Sequence, residues 1–215
     1  GFIGTFSPAI LAVPFHDERA VGYVSQSGAY GVLTYMAAAQ KGLTFNYFAS
    51  VGNEMDVEFS DVVEYMIHDD KTKVITGYLE GAKNTEKLRG LAYKALEHKK
   101  PIVLMKTGRS EAGSRAASSH TGSLAGSDAI YDAFFKQTGI VRVDDYEDII
   151  TFFFFFLSNK LPKGKNTVII TSSGGRGINE ADRSESFGLK VIPLSEKTQA
   201  EIKQVIPSYG SASNP

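Results

Sequence analysis

Six short apolar runs, rich in β-branched residues, recur along the chain at Val21–Ser25, Phe45–Val51, Lys73–Leu79, Ile102–Lys106, Thr167–Thr171 and Leu189–Pro193. Between them, at Tyr30–Gln40, Phe59–His68, Thr85–Glu97, Ser123–Gln137 and Asp145–Leu157, apolar residues return every three to four positions. The first pattern is that of buried strands and the second that of amphipathic helices. Strands separated by helices pair parallel, so the alternation predicts an α/β fold, a doubly wound parallel sheet with ligands at the carboxyl ends of its strands. Asn84 is placed to cap the Thr85–Glu97 helix, and Asp144 with Glu147 has capping-box spacing.

The rhythm breaks once. Residues 158–166, SNKLPKGKN, bring together proline, glycine and three lysines, the composition of an interdomain linker. The expected organisation is a first domain over 21–157, the linker at 158–166, and the start of a second, incomplete α/β domain over 167–215. Residues 1–20 are irregular and read as a connection from a preceding domain. The run Phe152–Leu157, five phenylalanines and a leucine, reads as a buried helix end or as an interface.

Bulk properties narrow the function classes. A formal net charge of -1 gives no global basic field to hold nucleic acid, and the absence of cysteine removes disulfides, thiolate metal sites and thiol nucleophiles together. No apolar run approaches the roughly 20 residues that span a bilayer, and no signal sequence is visible, so a cytoplasmic protein without membrane partners is expected.

Three segments have the makings of chemistry. In Val24-Ser25-Gln26-Ser27-Gly28-Ala29-Tyr30-Gly31 a strand ends in small residues and a helix follows at once, which presents free N–H groups and a positive helix dipole to an anion at Ser27 and Gly28. Thr171-Ser172-Ser173-Gly174-Gly175-Arg176-Gly177 repeats the arrangement, with Gly174 and Gly175 at the helix start. Neither is a P-loop or a GxGxxG fingerprint, and each serves equally as a plain strand-to-helix turn. Arg176 is either a phosphate clamp or a solvated side chain. The third segment, Lys106–Asp128, is rich in Gly, Ser and Ala and carries one histidine, His120. It reads as a long mobile loop, with His120 either a surface histidine or a nucleophile.

Glu80, in Tyr78-Leu79-Glu80-Gly81, ends a strand where the crevice should lie, and a carboxylate there is suited to fixing an imidazole tautomer or simply to favouring a helix N-terminus. His16, His68 and His98 sit at irregular or terminal positions, and no histidine spacing suggests a metal site.

Taken in order, the phrases VSQSGAYG, SVGNEMDVEFSDVVEYM, YLEG, KTGRSEAGSRAASSHTGSLAGSD and TSSGGRG resemble the NDP-forming acyl-CoA synthetases, the group of ADP-forming acetate–CoA ligase and, more distantly, succinyl-CoA synthetase. The resemblance covers nearly all of the chain. It implies a flavodoxin-like first domain, and catalytic roles for His120, which accepts a phosphoryl group, and Glu80, which steadies it. It also implies that the phosphate is held between the helix starts at Ser27-Gly28 and Gly174-Gly175. In the implied cycle, phosphate attacks an acyl-CoA to give an acyl phosphate, His120 takes the phosphoryl group, and phosphohistidine passes it to ADP or GDP.

The family's CoA-binding Rossmann domain and its ATP-grasp module, with nucleotide and Mg2+, are not visible here. The resemblance therefore implies partner domains or subunits in an oligomer, with CoA and ATP or ADP as substrates held largely outside this chain, no tightly bound cofactor, and no turnover by these residues alone. Two other readings stay open: the ligand-sensing module of a protein lysine acetyltransferase, built on the same two domains, and a flavodoxin-like binding domain without covalent chemistry.

Overall fold

The computed structural model describes residues 20–43, 45–121, 127–158 and 161–214, and within these the side chains of all but 117–121. The chain divides into two compact units, Gly1–Lys160 and Leu161–Pro215.

Among the described residues, the first unit is a five-stranded, all-parallel sheet in the order β2-β1-β3-β4-β5. Its strands are β1 (Val21–Ser25), β2 (Tyr47–Ser50), β3 (Val74–Leu79), β4 (Ile102–Lys106) and β5 (Val141–Val143). The connecting helices are α1 (Gly28–Gln40), α2 (Phe59–His68), α3 (Thr85–Glu97), α4 (Glu111–Thr121), α5 (Asp128–Thr138) and α6 (Tyr146–Leu157). This is the flavodoxin-like order, in which the chain leaves β1 toward β2 and then crosses back to β3, opening a crevice at the carboxyl ends of β1 and β3.

Strand alternation divides the core in two. Val24, Ile75, Leu79 and Leu104 face α2, α3 and α5, packing on Val63, Met66, Leu88 and Phe135. Their neighbours Tyr23, Val74 and Val103 face α1 and α6 and pack with Tyr35, Ile149 and Phe153. Strands β1, β3 and β4 are thus apolar on both faces, as a sheet covered by helices on both sides requires. Gly77 admits the closest approach: a Cβ there would lie 2.5 Å from Val24 O and 2.9 Å from Phe59 Cζ.

Caps account for the helix starts. Asn84 accepts from Lys87 N, as expected, whereas the cap of α6 is Asp145, which accepts from Asp148 N, and not Asp144. The phenylalanine run is divided between the two readings, since Phe153 is fully buried while Phe154 and Phe155 are exposed.

Two expectations are corrected. Part of the stretch read as a mobile loop is helix α4. Its EAGSRAAS sequence supplies good helix formers, Glu111 favours the helix dipole, and Ser110 Oγ accepts from Gly113 N at 3.0 Å. The three-residue strand β5 was hidden because its middle residue, Arg142, is charged. Of the helix expected from Ser123, residues 123–126 lie outside the described residues.

In the second unit, β6 (Asn166–Thr167) pairs parallel with β7 (Lys190–Val191), accompanied by α7 (Gly174–Ser186) and α8 (Glu196–Lys203). The strands are shorter than the apolar runs because a side chain takes over their ladder. Asn214 Oδ1 accepts from Ile169 N at 2.9 Å, and its Nδ2 donates to Thr167 O and Ile192 O at 3.0 and 2.7 Å. No helix among the described residues is long and apolar enough to cross a membrane.

Candidate functional site

At the carboxyl end of β1 the chain turns straight into α1. Ser25 Oγ donates to Ser27 O at 2.6 Å and accepts from Ser27 N at 3.2 Å. Ser27 caps the helix, its Oγ accepting from Tyr30 N at 3.3 Å, and Gly31 N donates to Ser27 O at 3.0 Å. The N–H groups of Gly28 and Ala29, at the first helical positions, have no carbonyl one turn back to bind and remain available to an anion.

The turn before α7 repeats this pattern bond for bond. Thr171 Oγ1 donates to Ser173 O at 3.4 Å and accepts from Ser173 N at 3.1 Å. Ser173 Oγ accepts from Arg176 N at 3.4 Å, and Gly177 N donates to Ser173 O at 3.0 Å. Gly177, the counterpart of Gly31, is buried as Gly31 is. At Gly174 and Gly175, by contrast, an added Cβ would meet nothing within 4 Å, so packing inside this unit does not demand glycine there. Arg176 is mostly exposed, with Nε 3.8 Å from Glu180.

Electrostatics singles out the same two helices. Each of α2, α3, α4, α5, α6 and α8 carries an acidic residue in its first turn, which neutralises the positive end of its dipole. Helices α1 and α7 carry none. Their N-termini are therefore the ones best able to attract an external anion.

Glu80 stands on the other lip of the crevice, at the end of β3, and is 8% exposed. Its backbone is held by a residue that sequence reasoning passed over. Gln26 Oε1 accepts from Glu80 N at 2.5 Å and Gly81 N at 3.2 Å, and Gln26 Nε2 donates to Gly81 O at 2.7 Å. Gln26 N also donates to Tyr78 O at 3.2 Å. One amide side chain thus ties the carboxylate to the anion-ready turn. Across the same rim, the rings of Tyr30 and Tyr78 lie 4.7 Å apart, and burial pushes both phenols up.

A second unforeseen group is Lys106, the last residue of β4. Its ammonium lies 4.5 Å over the Tyr131 ring and donates to Thr107 O. Burial pushes the ammonium down, against the opposing attraction of Asp128 and Glu80. The signal in the sequence was a lysine ending an otherwise apolar strand at the ligand edge of the sheet. In the loop after β2, Glu54 has a left-handed backbone (φ 56) and is buried, with Oε1 accepting from Phe59 N at 2.7 Å.

The six expected site residues are therefore placed differently. Ser27, Gly28 and Glu80 come together at the β1/β3 crevice. Gly174 and Gly175 form a matching turn in the second unit. His120 lies on the last turn of α4, and its side chain is outside the described residues. No group of three or more His, Asp or Glu able to hold a metal occurs among the described residues.

A flavodoxin-like parallel sheet with an anion-ready turn and a buried carboxylate at its switch point defines the class, and the comparison with known families agrees. Residues 18–156 match the succinyl-CoA ligase like flavodoxin domain, and the chain belongs to that family. Among individual proteins it is 40% identical over 195 residues to the alpha subunit of ADP-forming acetate–CoA ligase II of Pyrococcus furiosus, covering 91% of this chain and 42% of that one. To the ADP-forming acetate–CoA ligase of Methanocaldococcus jannaschii it is 36% identical over 207 residues, covering 96% of this chain and 29% of the relative.

The solved structure of the Candidatus Korarchaeum cryptofilum dinucleotide-forming acetyl-coenzyme A synthetase 1, in complex with phosphate and ADP, superposes with a TM-score of 0.82 at 34% identity, covering 92% of this chain and 43% of that one. The chain spans less than half the length of each of these relatives.

Proposed function

We propose that this chain is the phosphoryl-relay portion of an NDP-forming acyl-CoA synthetase of the ADP-forming acetate–CoA ligase kind. The observation that carries the reading is the pair of equivalent helix starts, at Ser27-Gly28 and Ser173-Gly174, which alone among the described helices lack a first-turn acid. Two uncompensated helix N-termini suit a phosphate that is bound in one place and delivered in another.

In the proposed cycle an oxygen of inorganic phosphate attacks the thioester carbonyl, CoA leaves as the thiol, and an acyl phosphate forms. An imidazole nitrogen of His120 then attacks phosphorus, and the P–O bond to the acyl group breaks, releasing the carboxylate. The terminal phosphate oxygen of ADP next attacks the phosphohistidine, breaking the P–N bond to give ATP. Glu80 accepts the N–H of the other imidazole nitrogen and so presents the attacking lone pair.

Ser27 and Gly28 hold the phosphoryl oxygens during formation of the phosphohistidine, and Gly174 and Gly175 during its use. Each helix start contributes on the order of 1 kcal/mol of electrostatic stabilisation, more where water is excluded. CoA and the nucleotide, with its Mg2+, are substrates held chiefly by further domains or subunits of an oligomeric enzyme. The described residues offer no cluster of three or more carboxylates or histidines to hold a metal ion.

The test is phosphorylation of the chain by acetyl phosphate, or by ATP in the presence of the nucleotide-binding partner, followed by analysis for acid-labile, base-stable phosphate. Label on the wild type that disappears in His120→Ala is the expected result. A wild type that takes no label from either donor would sink the proposal and favour a ligand-sensing module.

A further inference from the structure

Beneath α5 runs a seam of charges that the phosphate site does not account for. Asp128, the first residue of α5, binds Arg142 of β5 through Arg142 Nη2. Its other oxygen lies 3.9 Å from Nε of Arg109, which in turn is paired through Nη1 with Asp144. The chain of contacts reads Arg142–Asp128–Arg109–Asp144, with Asp132 of α5 a second carboxylate 3.8 Å from Arg142 Nη1. Arg109 lies where the backbone leaves β4 toward α4, and Asp128 lies where it returns to α5. These two side chains meet across the base of the segment that carries His120.

Magnitudes argue against a simple stabilising role. Exposed pairs such as Arg109–Asp144 contribute little to stability, since water and salt screen them. Arg142 is the buried member: its side chain is 10% exposed and packs 5.9 Å from the Phe135 ring, Nη1 lies 3.8 Å from Asp132 without a hydrogen bond, and Nε has no acceptor. A guanidinium this buried and hydrogen-bonded through one nitrogen gains little over an apolar residue packed against Phe135, because desolvation offsets the attraction of its carboxylates. The neighbouring Lys106 ammonium is buried in the same seam, against Tyr131. The arrangement holds Asp128 at one point, between Arg142 and Arg109.

We propose that Arg109 and Asp128, anchored by Arg142 and Asp144, form a clasp that sets the two ends of the His120-bearing segment and thereby aligns His120 for phosphoryl transfer. All four are positioning residues. The proposal rests on the phosphohistidine reading above. A shift of about an ångström in the reacting geometry slows a transfer by up to about a hundredfold, so loss of the clasp shows in rate before it shows in stability.

The experiment is rapid-quench labelling of His120 from radiolabelled ATP in the assembled ligase, with thermal unfolding of each variant measured alongside. The double variant Asp128→Asn/Arg142→Met removes the buried charge as well as its partner. It is expected to unfold at or above the wild-type temperature yet label about tenfold more slowly or worse, a combination that a merely structural role does not produce. Asp128→Glu is expected to label within about threefold of wild type. Arg109→Gln, at a half-exposed position where folding is safe, is expected to slow labelling about fivefold, and high salt to do the same to the wild type.

Wild-type labelling rates in both Asp128→Asn/Arg142→Met and Arg109→Gln would overturn the clasp alone. No label on the wild-type ligase would instead remove the phosphohistidine reading, and the clasp with it.

Discussion

The side chain of Gln26 spans the crevice, accepting the N–H of Glu80 at 2.5 Å from a position next to Ser27, the cap of the anion-ready helix. With its further bonds to the N–H and carbonyl of Gly81, it makes the carboxylate lip and the phosphate lip one rigid unit. A glutamate whose backbone is pinned in this way meets an imidazole with little conformational freedom left to lose.

Gln26→Ala should therefore cost both stability and rate. Removing the amide leaves the N–H groups of Glu80 and Gly81 and the Gly81 carbonyl without their partner, a loss of about 1–3 kcal/mol at this partly buried site. Urea unfolding should shift by that amount, and phosphohistidine formation should fall about tenfold. Unchanged labelling would show that the pinning of Glu80 does not matter to the transfer.

Glycines at two positions should behave in opposite ways. In Gly77→Ala the new Cβ would stand 2.5 Å from Val24 O, a backbone atom that cannot step aside, and overpacking should destabilise by about 2–3 kcal/mol. In Gly175→Ala nothing lies within 4 Å, and exchanging glycine for alanine inside a helix should leave stability unchanged or raise it by about 0.5–1 kcal/mol. Phosphoryl transfer to ADP should nonetheless slow, because the methyl group crowds the bare helix start. Melting temperature and labelling, measured together, separate the two cases.

Lys100 closes the carboxyl end of α2, its ammonium donating to Ile67 O and Asp69 O, each at 2.6 Å, and to Met66 O at 3.2 Å. Lys100→Met keeps the packing volume but takes the ammonium from the Met66 and Ile67 carbonyls, while Asp69 O keeps the N–H of Thr72, for an expected loss of about 1–3 kcal/mol. A chemical-denaturation midpoint equal to wild type would contradict this.

The Asp61–Lys87 pair predicts a pH dependence. The Lys87 hydrogen bond, with a second from the Glu58 backbone, holds the Asp61 carboxyl below its ordinary range. A carboxylate depressed in the folded state contributes fully above its unfolded pKa of about 3.9, and the contribution is lost as pH falls through the lower folded value. Because both side chains are partly exposed, it is worth less than about 1 kcal/mol. Lys87→Met should thus be slightly less stable than wild type at about pH 7, and the gap should close at about pH 2. A gap that persists in acid would assign the effect to packing.

Much of the first unit was legible in the residues. The strand and helix periods located β1–β4, α1–α3 and α6 because each of these elements buries a continuous apolar face. Where a charged or small residue interrupts that face, the signal failed. Arg142 concealed β5, and the serines and glycines of 108–121 concealed α4, whose alanines and local Ser110 cap were enough to form a helix. In the second unit, β6 and β7 are shorter than their apolar runs because Asn214, far along the chain, occupies their hydrogen-bonding groups.

The sequence by itself determined which backbone turns present free N–H groups, since a small residue, a serine cap and a glycine act over a few neighbouring positions. It likewise marked Glu80 as the carboxylate at a strand end. Only the tertiary structure decided that Gln26 joins these two lips and that Lys106 is buried beside them. The meeting of Arg109 with Asp128 at the base of the His120 segment belongs there as well. Those relationships depend on parallel register and on loop closure between residues distant in the chain, and side-chain type alone carries no record of either.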